Sequence, residues 1–310
     1  MTFTTPLTRA ASLSAAGHDV YLKNETVLPT GTFKVRGALH ALEANLARHP
    51  IREVVAASTG NHGAAVAWAA HSAGCRATIF LPRHPNPVKR ARIDALGAAI
   101  VEVGGADLSA AIDAAAEYAE RSGAFFLHDA ADADVPGGTG QIGAEIVAQQ
   151  PGVTRIYVPM GDTALIRGVA SAAKQAKPSV TIVGVVAANA PAYLLSWRDG
   201  RVVETPTADT IADGLAVRQP LAPNVEAIRG LVDEVQAVSE EEMLAAIRHL
   251  HQHEGITAEP AGAAATAAYL KDAARSAVNV VLVTGANIAP EVAARAGIFA
   301  LPPHVSSALE

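Results

Sequence analysis

The chain has little cysteine, few aromatic residues and no basic segment, and each shortage excludes a class of protein. Cys75 is the single cysteine, so no intramolecular disulfide can form, which is typical of a reducing compartment. The net charge is -6 and no basic stripe alternates with aromatic residues, which argues against a nucleic-acid partner. No long uncharged apolar run predicts a membrane span, and residues 1–16 lack the features of a secretion signal. We therefore expect a cytoplasmic protein.

Hydrophobic residues form half of the chain and fall into alternating strand and helix patterns. They make up 50% of 310 residues, enough for a large core in one domain or in two closely packed ones. Strands are predicted at residues 20–23, 53–58, 77–81, 98–103, 125–128, 155–160, 180–186 and 280–284. Helices are predicted at residues 34–46, 61–74, 86–97, 108–122, 140–149, 163–177, 239–253 and 263–277. Most strand segments are unbroken apolar runs, typical of parallel sheets covered on both faces, so the sequence predicts an α/β fold.

A lysine opens the first predicted helix. Lys34 lies between Gly31 and Gly37, and both glycines allow close approach of the backbone to other groups. A partly desolvated lysine near a helix N-terminus has a lowered pKa, which an amine needs for covalent chemistry with a carbonyl group. The alternative is an ordinary solvated lysine on an exposed turn.

A short polar loop connects the next strand to its helix. It comprises residues 58–63 and contains Ser58, Thr59, Asn61 and His62. Small polar residues and free amides at such a position bind anions, and a substrate carboxylate is the expected occupant. The alternative is simple capping of the helix by Asn61. A hydrolase that uses Ser58 and His62 is disfavoured, because no Gly-x-Ser-x-Gly turn surrounds the serine.

Two further strand ends carry candidate binding groups. The loop after residue 160 has amides suited to a phosphate, and its residues are Gly161, Asp162, Thr163, Ala164 and Leu165. A carboxylate beside a phosphate is repulsive, so we expect the Asp162 side chain to point away or to cap the following helix. At the end of the last predicted strand, Thr284 offers a neutral hydroxyl to a ring nitrogen. Ordinary helix capping and a simple turn are the alternatives.

Together these motifs resemble the serine/threonine dehydratases, the group of threonine ammonia-lyases and serine racemases. These are tryptophan synthase β-like enzymes of pyridoxal-phosphate fold type II. The resemblance is carried, in order, by residues 5–7, 21–23, 30–38, 58–63, 210–214, 259–262 and 284–287. It implies a large parallel-sheet domain of residues 1–45 and 135–310 that binds pyridoxal 5'-phosphate. A smaller α/β domain of residues 46–134 is inserted into it, and a homodimer is implied.

The resemblance also implies roles for individual residues. Lys34 corresponds to the lysine that holds the cofactor covalently and then moves the substrate's α-proton, while Phe33 packs beside the cofactor ring. Asn61 corresponds to the partner of the ring hydroxyl, and Thr284 to the partner of the ring nitrogen. The substrate carboxylate is held by the loop that contains Ser58, Thr59, Asn61 and His62. The phosphate is held by Gly161, Asp162, Thr163, Ala164 and Leu165.

The implied reaction is α,β-elimination from a β-hydroxy amino acid. A neutral partner for the ring nitrogen favours prompt loss of a β-substituent over chemistry that needs a persistent carbanion. The chain is thus identified as a lyase that converts threonine, serine or a bulkier or acidic analogue to a 2-oxo acid and ammonia. A racemase or a β-replacement synthase with the same cofactor is the alternative. A third reading is a ligand-binding protein with a repurposed site, which only the unusual Asp162 loop suggests.

The chain departs from the family pattern at several positions. The phosphate loop usually consists of glycines, and here it contains Asp162 and Thr163. Thr59 replaces the serine that related racemases use to reprotonate the substrate, which lowers the expectation of racemisation. Val186 and Ala192 replace an acidic pair that binds a divalent cation in those relatives, so no metal site is predicted.

One departure bears on the substrate. Residues 128–131 read His-Asp-Ala-Ala, where the family usually has His-Pro followed by an aromatic residue. The change indicates a substrate side chain larger or more polar than that of threonine. The chain ends at Glu310, and the resemblance implies a dehydratase without the C-terminal regulatory domain of the biosynthetic enzymes.

Overall fold

A computed structural model describes residues 2–58, 60–85, 87–104, 108–273 and 277–298, and it contains two sheets covered by helices. The strands are β1 (Leu7–Arg9), β2 (Asp19–Asn24), β3 (Glu53–Ala57), β4 (Arg76–Pro82), β5 (Ala99–Val103), β6 (Phe125–Phe126), β7 (Arg155–Pro159), β8 (Thr181–Ala187), β9 (Glu234–Val238) and β10 (Val278–Val283). The helices are α1 (Lys34–Leu46), α2 (Asn61–Ser72), α3 (Pro87–Ala95), α4 (Leu108–Ser122), α5 (Val135–Gln149), α6 (Ala164–Ala176), α7 (Ala192–Asp199), α8 (Ala222–Leu231), α9 (Glu240–Glu254), α10 (Pro260–Lys271) and α11 (Pro290–Arg295).

The larger sheet has the strand order β1-β2-β10-β7-β8-β9. Its strands are parallel apart from β1, which pairs with β2 in the antiparallel direction. The central strands β7 and β10 consist largely of β-branched apolar residues and are almost fully buried. Because a parallel sheet collects the carboxyl ends of its strands along one edge, the loops that follow β2, β10 and β7 lie next to one another.

The smaller sheet comes from one continuous stretch of chain. Its four parallel strands have the order β5-β4-β3-β6, so β3 lies beside β6 although α2, β4 and β5 separate them in sequence. The predicted boundaries of the inserted domain, residues 46 and 134, stay a prediction. Helix α1 packs into the core of this sheet, where Val35 and Leu42 join Val54 and Ile79.

The predicted helix at residues 140–149 began too late, since α5 starts at Val135. Pro136 stands in its first turn, where a missing amide hydrogen costs nothing. The glycines of this helix are needed for close packing. A Cβ atom at Gly138 would lie 2.2 Å from the carbonyl oxygen of Arg36, and one at Gly143 would lie 2.3 Å from that of Val169. Helix packing, and not a break in the helix, explains these glycines.

Two other predicted helices differ at their ends. Helix α10 begins at Pro260 instead of residue 263 and ends at Lys271, whereas residues 274–276 of the predicted helix lie outside the described residues. Helix α3 begins at Pro87, and the predicted start at Asn86 also lies outside them. Helix α9 begins with a capping box, in which the Ser239 hydroxyl accepts the Glu242 amide and the Glu242 carboxylate accepts the Ser239 amide. Within the described ranges, no helix has the length and apolar character needed to cross a membrane.

Candidate active site

Three neighbouring strands of the larger sheet deliver the candidate cofactor residues to one edge. Lys34 follows β2, Thr284 follows β10, and the loop at residues 161–165 follows β7. A bridge between Thr32 and Gly285 and a hydrogen bond from the Phe33 amide to the Thr284 carbonyl (3.0 Å) tie the first two segments together. Strand order therefore explains why residues so far apart in sequence meet at one place.

Lys34 is fixed at the start of α1 by the conformation of the chain before it. Gly31 has a φ of 70°, in the left-handed region that favours glycine, and this turn directs the chain into the helix. The lysine side chain is 13% exposed, and its Nζ lies 5.5 Å from the centroid of the Phe33 ring. The amine is thus largely buried on the sheet edge, and the solvated-lysine alternative is wrong.

Two aspartates surround the Lys34 amine. Asp129 follows β6 and binds Nζ directly, while a carboxylate oxygen of Asp162 lies 3.7 Å from Nζ. Both carboxyls therefore face the same amine. Asp162 points toward the lysine, so the expectation that its side chain turns away is wrong. The other expectation, that it caps α6, stays a prediction.

These contacts reverse the expected pKa shift of the lysine. Burial acts to lower the pKa of Lys34, but the charges of Asp129 and Asp162 outweigh burial and raise it above its ordinary value. The prediction of a lowered lysine pKa is therefore wrong for the free side chain. Burial opposes ionisation of Asp129 as well, yet Lys34 and His62 hold its pKa below the usual range. Burial and the charge of Asp129 raise the pKa of Asp162 to about 7.

The polar loop after β3 is largely buried and internally bonded. The Ser58 hydroxyl accepts the amides of Gly60 (2.8 Å) and Gly63 (2.9 Å), so it organises the turn into α2. His62 hydrogen-bonds the Leu127 carbonyl through Nε2 (3.0 Å), which places the proton on that nitrogen. Its Nδ1 lies 3.6 Å from Asp129, and burial lowers the pKa of His62. Thr59, the predicted catalytic residue of this loop, lies outside the described residues.

Asn61 belongs to a buried polar network that reaches across the cleft. Its side-chain amide donates to Glu259 (2.6 Å), and its oxygen accepts from Asn287 (2.9 Å). Lys89 of α3 contacts Glu259 (3.2 Å) and Asp213 (2.5 Å) while its side chain is only 3% exposed. The network links helices on the smaller sheet with segments from the larger one, so it fixes the polar loop relative to Lys34.

The loop at residues 161–165 has the geometry of an anion cradle. A Cβ atom at Gly161 would lie 2.2 Å from the Gly214 carbonyl oxygen, so this position accepts glycine alone. Thr163 has a φ of 76°, which turns the chain into α6 and directs the free amides of that helix toward the site. The Asn224 amide donates to the Asp162 carbonyl (3.2 Å) and supports the loop from behind.

The residues present fit pyridoxal phosphate. A buried amine shares one sheet edge with a helix N-terminus that can bind a phosphate and with the neutral hydroxyl of Thr284, which can donate to a ring nitrogen. The raised pKa of Asp162 weakens the main objection, because the protonated form of this carboxyl does not repel a neighbouring phosphate. No cluster of His, Cys, Asp or Glu suited to a metal ion occurs in the part of the chain that the structure describes.

The structure brings together most of the predicted site residues and adds others. Phe33, Lys34, Ser58, Asn61, His62, Thr284 and the loop of Gly161, Asp162, Thr163, Ala164 and Leu165 lie around one cleft. Sequence reasoning missed the roles of Asp129, Lys89, Glu259 and Asn287. The unusual sequence His-Asp-Ala-Ala at residues 128–131 marks Asp129 as a departure from the family pattern. Only the pairing of β3 with β6 shows that its carboxylate lies beside Lys34.

Comparisons with known proteins agree with this geometry. Residues 2–285 match the family described as "Pyridoxal-phosphate dependent enzyme". The chain is 38% identical to an L-threonine ammonia-lyase of Thermotoga maritima over 273 residues, which are 88% of this chain and 68% of that protein. The processed form of threonine deaminase isoform 2 from Solanum lycopersicum superposes with a TM-score of 0.88 at 30% identity, over 94% of this chain and 82% of its own. Maize serine racemase superposes with a TM-score of 0.87 at 28% identity, over 94% and 91% of the two chains.

Proposed function

The chain belongs to the pyridoxal-phosphate dependent enzymes, and on that premise we propose that it is an ammonia-lyase for a β-hydroxy amino acid. It converts the amino acid to a 2-oxo acid and ammonia by α,β-elimination of water. The observation that carries the proposal is the buried Lys34 amine on the same sheet edge as an anion cradle and a neutral hydroxyl. The similarity to L-threonine ammonia-lyases extends over most of the chain and supports the same reaction.

The residues that would hold the cofactor form one continuous wall of the cleft. Lys34 supplies the covalent attachment, the amides of residues 161–165 bind the phosphate, and Thr284 meets the ring nitrogen. Phe33 packs against the ring and Asn61 meets its hydroxyl. When bound, pyridoxal phosphate acidifies the α-hydrogen of an attached amino acid and so makes β-elimination accessible.

The protein itself positions the substrate and moves protons. The N-terminus of α2 orients the substrate carboxylate, while Ser58 accepts the Gly60 and Gly63 amides and keeps the preceding loop in shape. Lys34 takes the α-proton, because its amine is the basic group at the cofactor edge of the cleft. We further propose that residues 46–134 close over residues 1–45 and 135–310 during the reaction and exclude water from the site.

Release of 2-oxo acid from a panel of β-hydroxy amino acids tests this function. The panel contains L-threonine, L-serine, a β-aryl serine and β-hydroxyaspartate, and ammonia is measured in parallel. Equal amounts of oxo acid and ammonia from any of them are the expected result. Inversion of the α-carbon without ammonia would identify a racemase, and a product with a new β-substituent would identify a synthase. No reaction with any of them would overturn the proposal.

The residue at position 130 predicts which size of substrate side chain the enzyme accepts. Ala130 stands where the family carries an aromatic residue, and its carbonyl accepts hydrogen bonds from Asn224 (3.1 Å) and Arg167 (3.3 Å), which hold the backbone there. Ala130→Phe should therefore reduce kcat/KM for a β-aryl serine by about tenfold or more relative to that for serine. The measurement is the ratio of the two kcat/KM values, with Ala133→Phe as the control. An unchanged ratio would place the substrate side chain elsewhere.

The ionic environment of Lys34 predicts slow cofactor capture that accelerates with pH. Only the neutral amine attacks an aldehyde, and the raised pKa of Lys34 keeps that form scarce near pH 7. The capture rate should rise about tenfold per pH unit over the neutral range. Asp129→Asn removes one stabilising charge, so capture at pH 7 should become about tenfold faster.

Stopped-flow absorption after mixing cofactor-free protein with pyridoxal phosphate measures that rate. Asp199→Asn, an exposed carboxylate outside the cleft, is the charge-matched control. A rate that is independent of pH in the wild type, or slower capture by Asp129→Asn, would contradict the assignment.

We also propose that the enzyme works as a homodimer in the cytoplasm, without a nucleic-acid or membrane partner and without a bound metal ion. The support is the family resemblance, the net charge of -6 and the single cysteine. Light scattering during size-exclusion chromatography gives the mass of the assembly and would reveal any other stoichiometry.

A further inference from the structure

The carboxyls of Asp129 and Asp162 come from separate loops, one on each sheet, and meet beside Lys34. Asp129 follows β6 of the smaller sheet, and Asp162 follows β7 of the larger one. Both stand at positions where the family pattern has a residue that cannot exchange a proton. Asp129 binds the lysine amine, and a carboxylate oxygen of Asp162 lies 3.7 Å from the same nitrogen. The amine therefore lies next to both carboxyls and can pass a proton between them.

The pair favours holding one proton. Two carboxylates that face one amine in a partly buried site repel each other, which disfavours ionisation of both. The partner of Lys34 remains ionised, since the ammonium group stabilises its charge. Burial and the charge of Asp129 raise the pKa of Asp162, so the shared proton belongs mainly to Asp162. A phosphate in the adjoining cradle would reinforce this arrangement.

Other acids and bases near the site are already committed. Glu259 accepts from Asn61 and contacts Lys89, and His62 uses its Nε2 proton for the Leu127 carbonyl. Asp162 combines a proton with access to the cleft, because its side chain is 31% exposed. The leaving hydroxyl of a substrate whose α-carbon faces Lys34 is attached only one carbon away, within reach of a group next to that amine.

We propose that Asp162 is the general acid that protonates the departing β-hydroxyl group, an inference that rests on the proposed ammonia-lyase activity. The α-proton passes to the Lys34 amine, and the electron pair of the Cα–H bond forms the Cα–Cβ double bond. The Cβ–O bond breaks as Asp162 donates its proton, so the hydroxyl leaves as water. The new ammonium proton of Lys34 then passes through Asp129 to Asp162, which restores the starting state without an external donor.

A comparison of leaving groups tests this assignment on the cofactor-loaded enzyme. A hydroxyl group must be protonated to leave, whereas chloride leaves as a stable anion. Asp162→Asn keeps the size and polarity of the side chain but cannot donate an acidic proton. It should lower kcat for L-serine by about 100-fold or more and change kcat for β-chloro-L-alanine by less than about threefold. Asp113→Asn, an exposed site on α4, is the charge-matched control and should leave both values unchanged.

The pH profile gives a second readout that a purely structural role would not produce. Because Asp162 donates only when protonated and its pKa is about 7, wild-type kcat for serine should fall as the pH rises above that value. This decrease of kcat at higher pH should be absent when the wild type acts on β-chloroalanine, and absent in Asp162→Asn. If Asp162→Asn lowered kcat equally for both substrates, the inference would be overturned. An unchanged kcat for serine in this variant would overturn it as well. Failure of the proposed function differs, because the wild type would then release no oxo acid from any hydroxy amino acid.

Discussion

Replacing Lys34 by alanine should abolish oxo-acid release, with a loss of about 10³-fold or more, and should remove the visible absorption of the bound cofactor. Lys34 is the buried amine at the edge of the larger sheet, and both covalent attachment and removal of the α-proton depend on it. The substitution also removes the cation that keeps Asp129 ionised. We therefore expect the carboxyl pair to take up a proton and the fold to persist.

Two further variants separate the chemistry of the amine from its charge. Lys34→Arg keeps a cation beside Asp129 but provides no nucleophile, so it should be as inactive as Lys34→Ala. Lys271→Ala removes a surface lysine that pairs with Glu242 and should leave both activity and absorption unchanged. Measurable covalent capture by Lys34→Ala would show that another amine holds the cofactor, and the site assignment would then fail.

Replacing Arg36 by methionine should cost about 3–5 kcal/mol of unfolding free energy, because it leaves a buried carboxylate without its partner. The Arg36 and Glu25 side chains are both 0% exposed, and Arg36 Nε lies 2.7 Å from Glu25. Arg36 also binds Glu145 of α5 at 2.7 Å, and Glu145 binds Lys23 of β2 at 2.6 Å. This network joins α1, β2 and α5 two residues after Lys34, so its loss should also disturb the position of the amine.

Urea unfolding monitored by circular dichroism measures the cost. Arg48→Met is the matched control, because Arg48 pairs with Asp134 while its side chain is 54% exposed, and such pairs contribute about 1 kcal/mol or less. The double variant Arg36→Met with Glu25→Gln should recover part of the loss, since no unpaired charge remains. Equal stabilities of Arg36→Met and Arg48→Met would show that water reaches the network and compensates Glu25.

Features of the site that depend on short segments were predictable from the sequence. The Lys34 run, the polar loop with Ser58 and the strand end at Thr284 each combine a local pattern with a physical function, and the alternation of elements predicts the α/β fold. The breaks in pattern at Asp129 and Asp162 were visible as well. The roles of these two aspartates were not predictable, because their proximity depends on the order of strands in two different sheets.

The errors have the same physical origin. A lysine at a helix start predicts a lowered pKa only when no acid is near, and strand pairing supplies two acids. Glycine in a segment suggests a turn, but in α5 it allows two helices to approach. Lys89 reads as a surface residue of a short helix, yet Asp213 and Glu259 enclose it. Each of these outcomes depends on neighbours that are distant in sequence.

The pair of carboxyls beside Lys34 restricts the order in which mutations can build such a site. An ancestral chain with Asp129 and with glycine still in the phosphate loop is tolerable, because Lys34 neutralises the Asp129 carboxylate. Asp162 alone would place a buried acid beside the phosphate with no second carboxyl to share its proton. The accessible path therefore introduces Asp129 first. Reversion should be asymmetric in the same way. Losing Asp162 first removes the proton donor but leaves Asp129 paired with Lys34, whereas losing Asp129 first leaves the Asp162 carboxylate beside the phosphate.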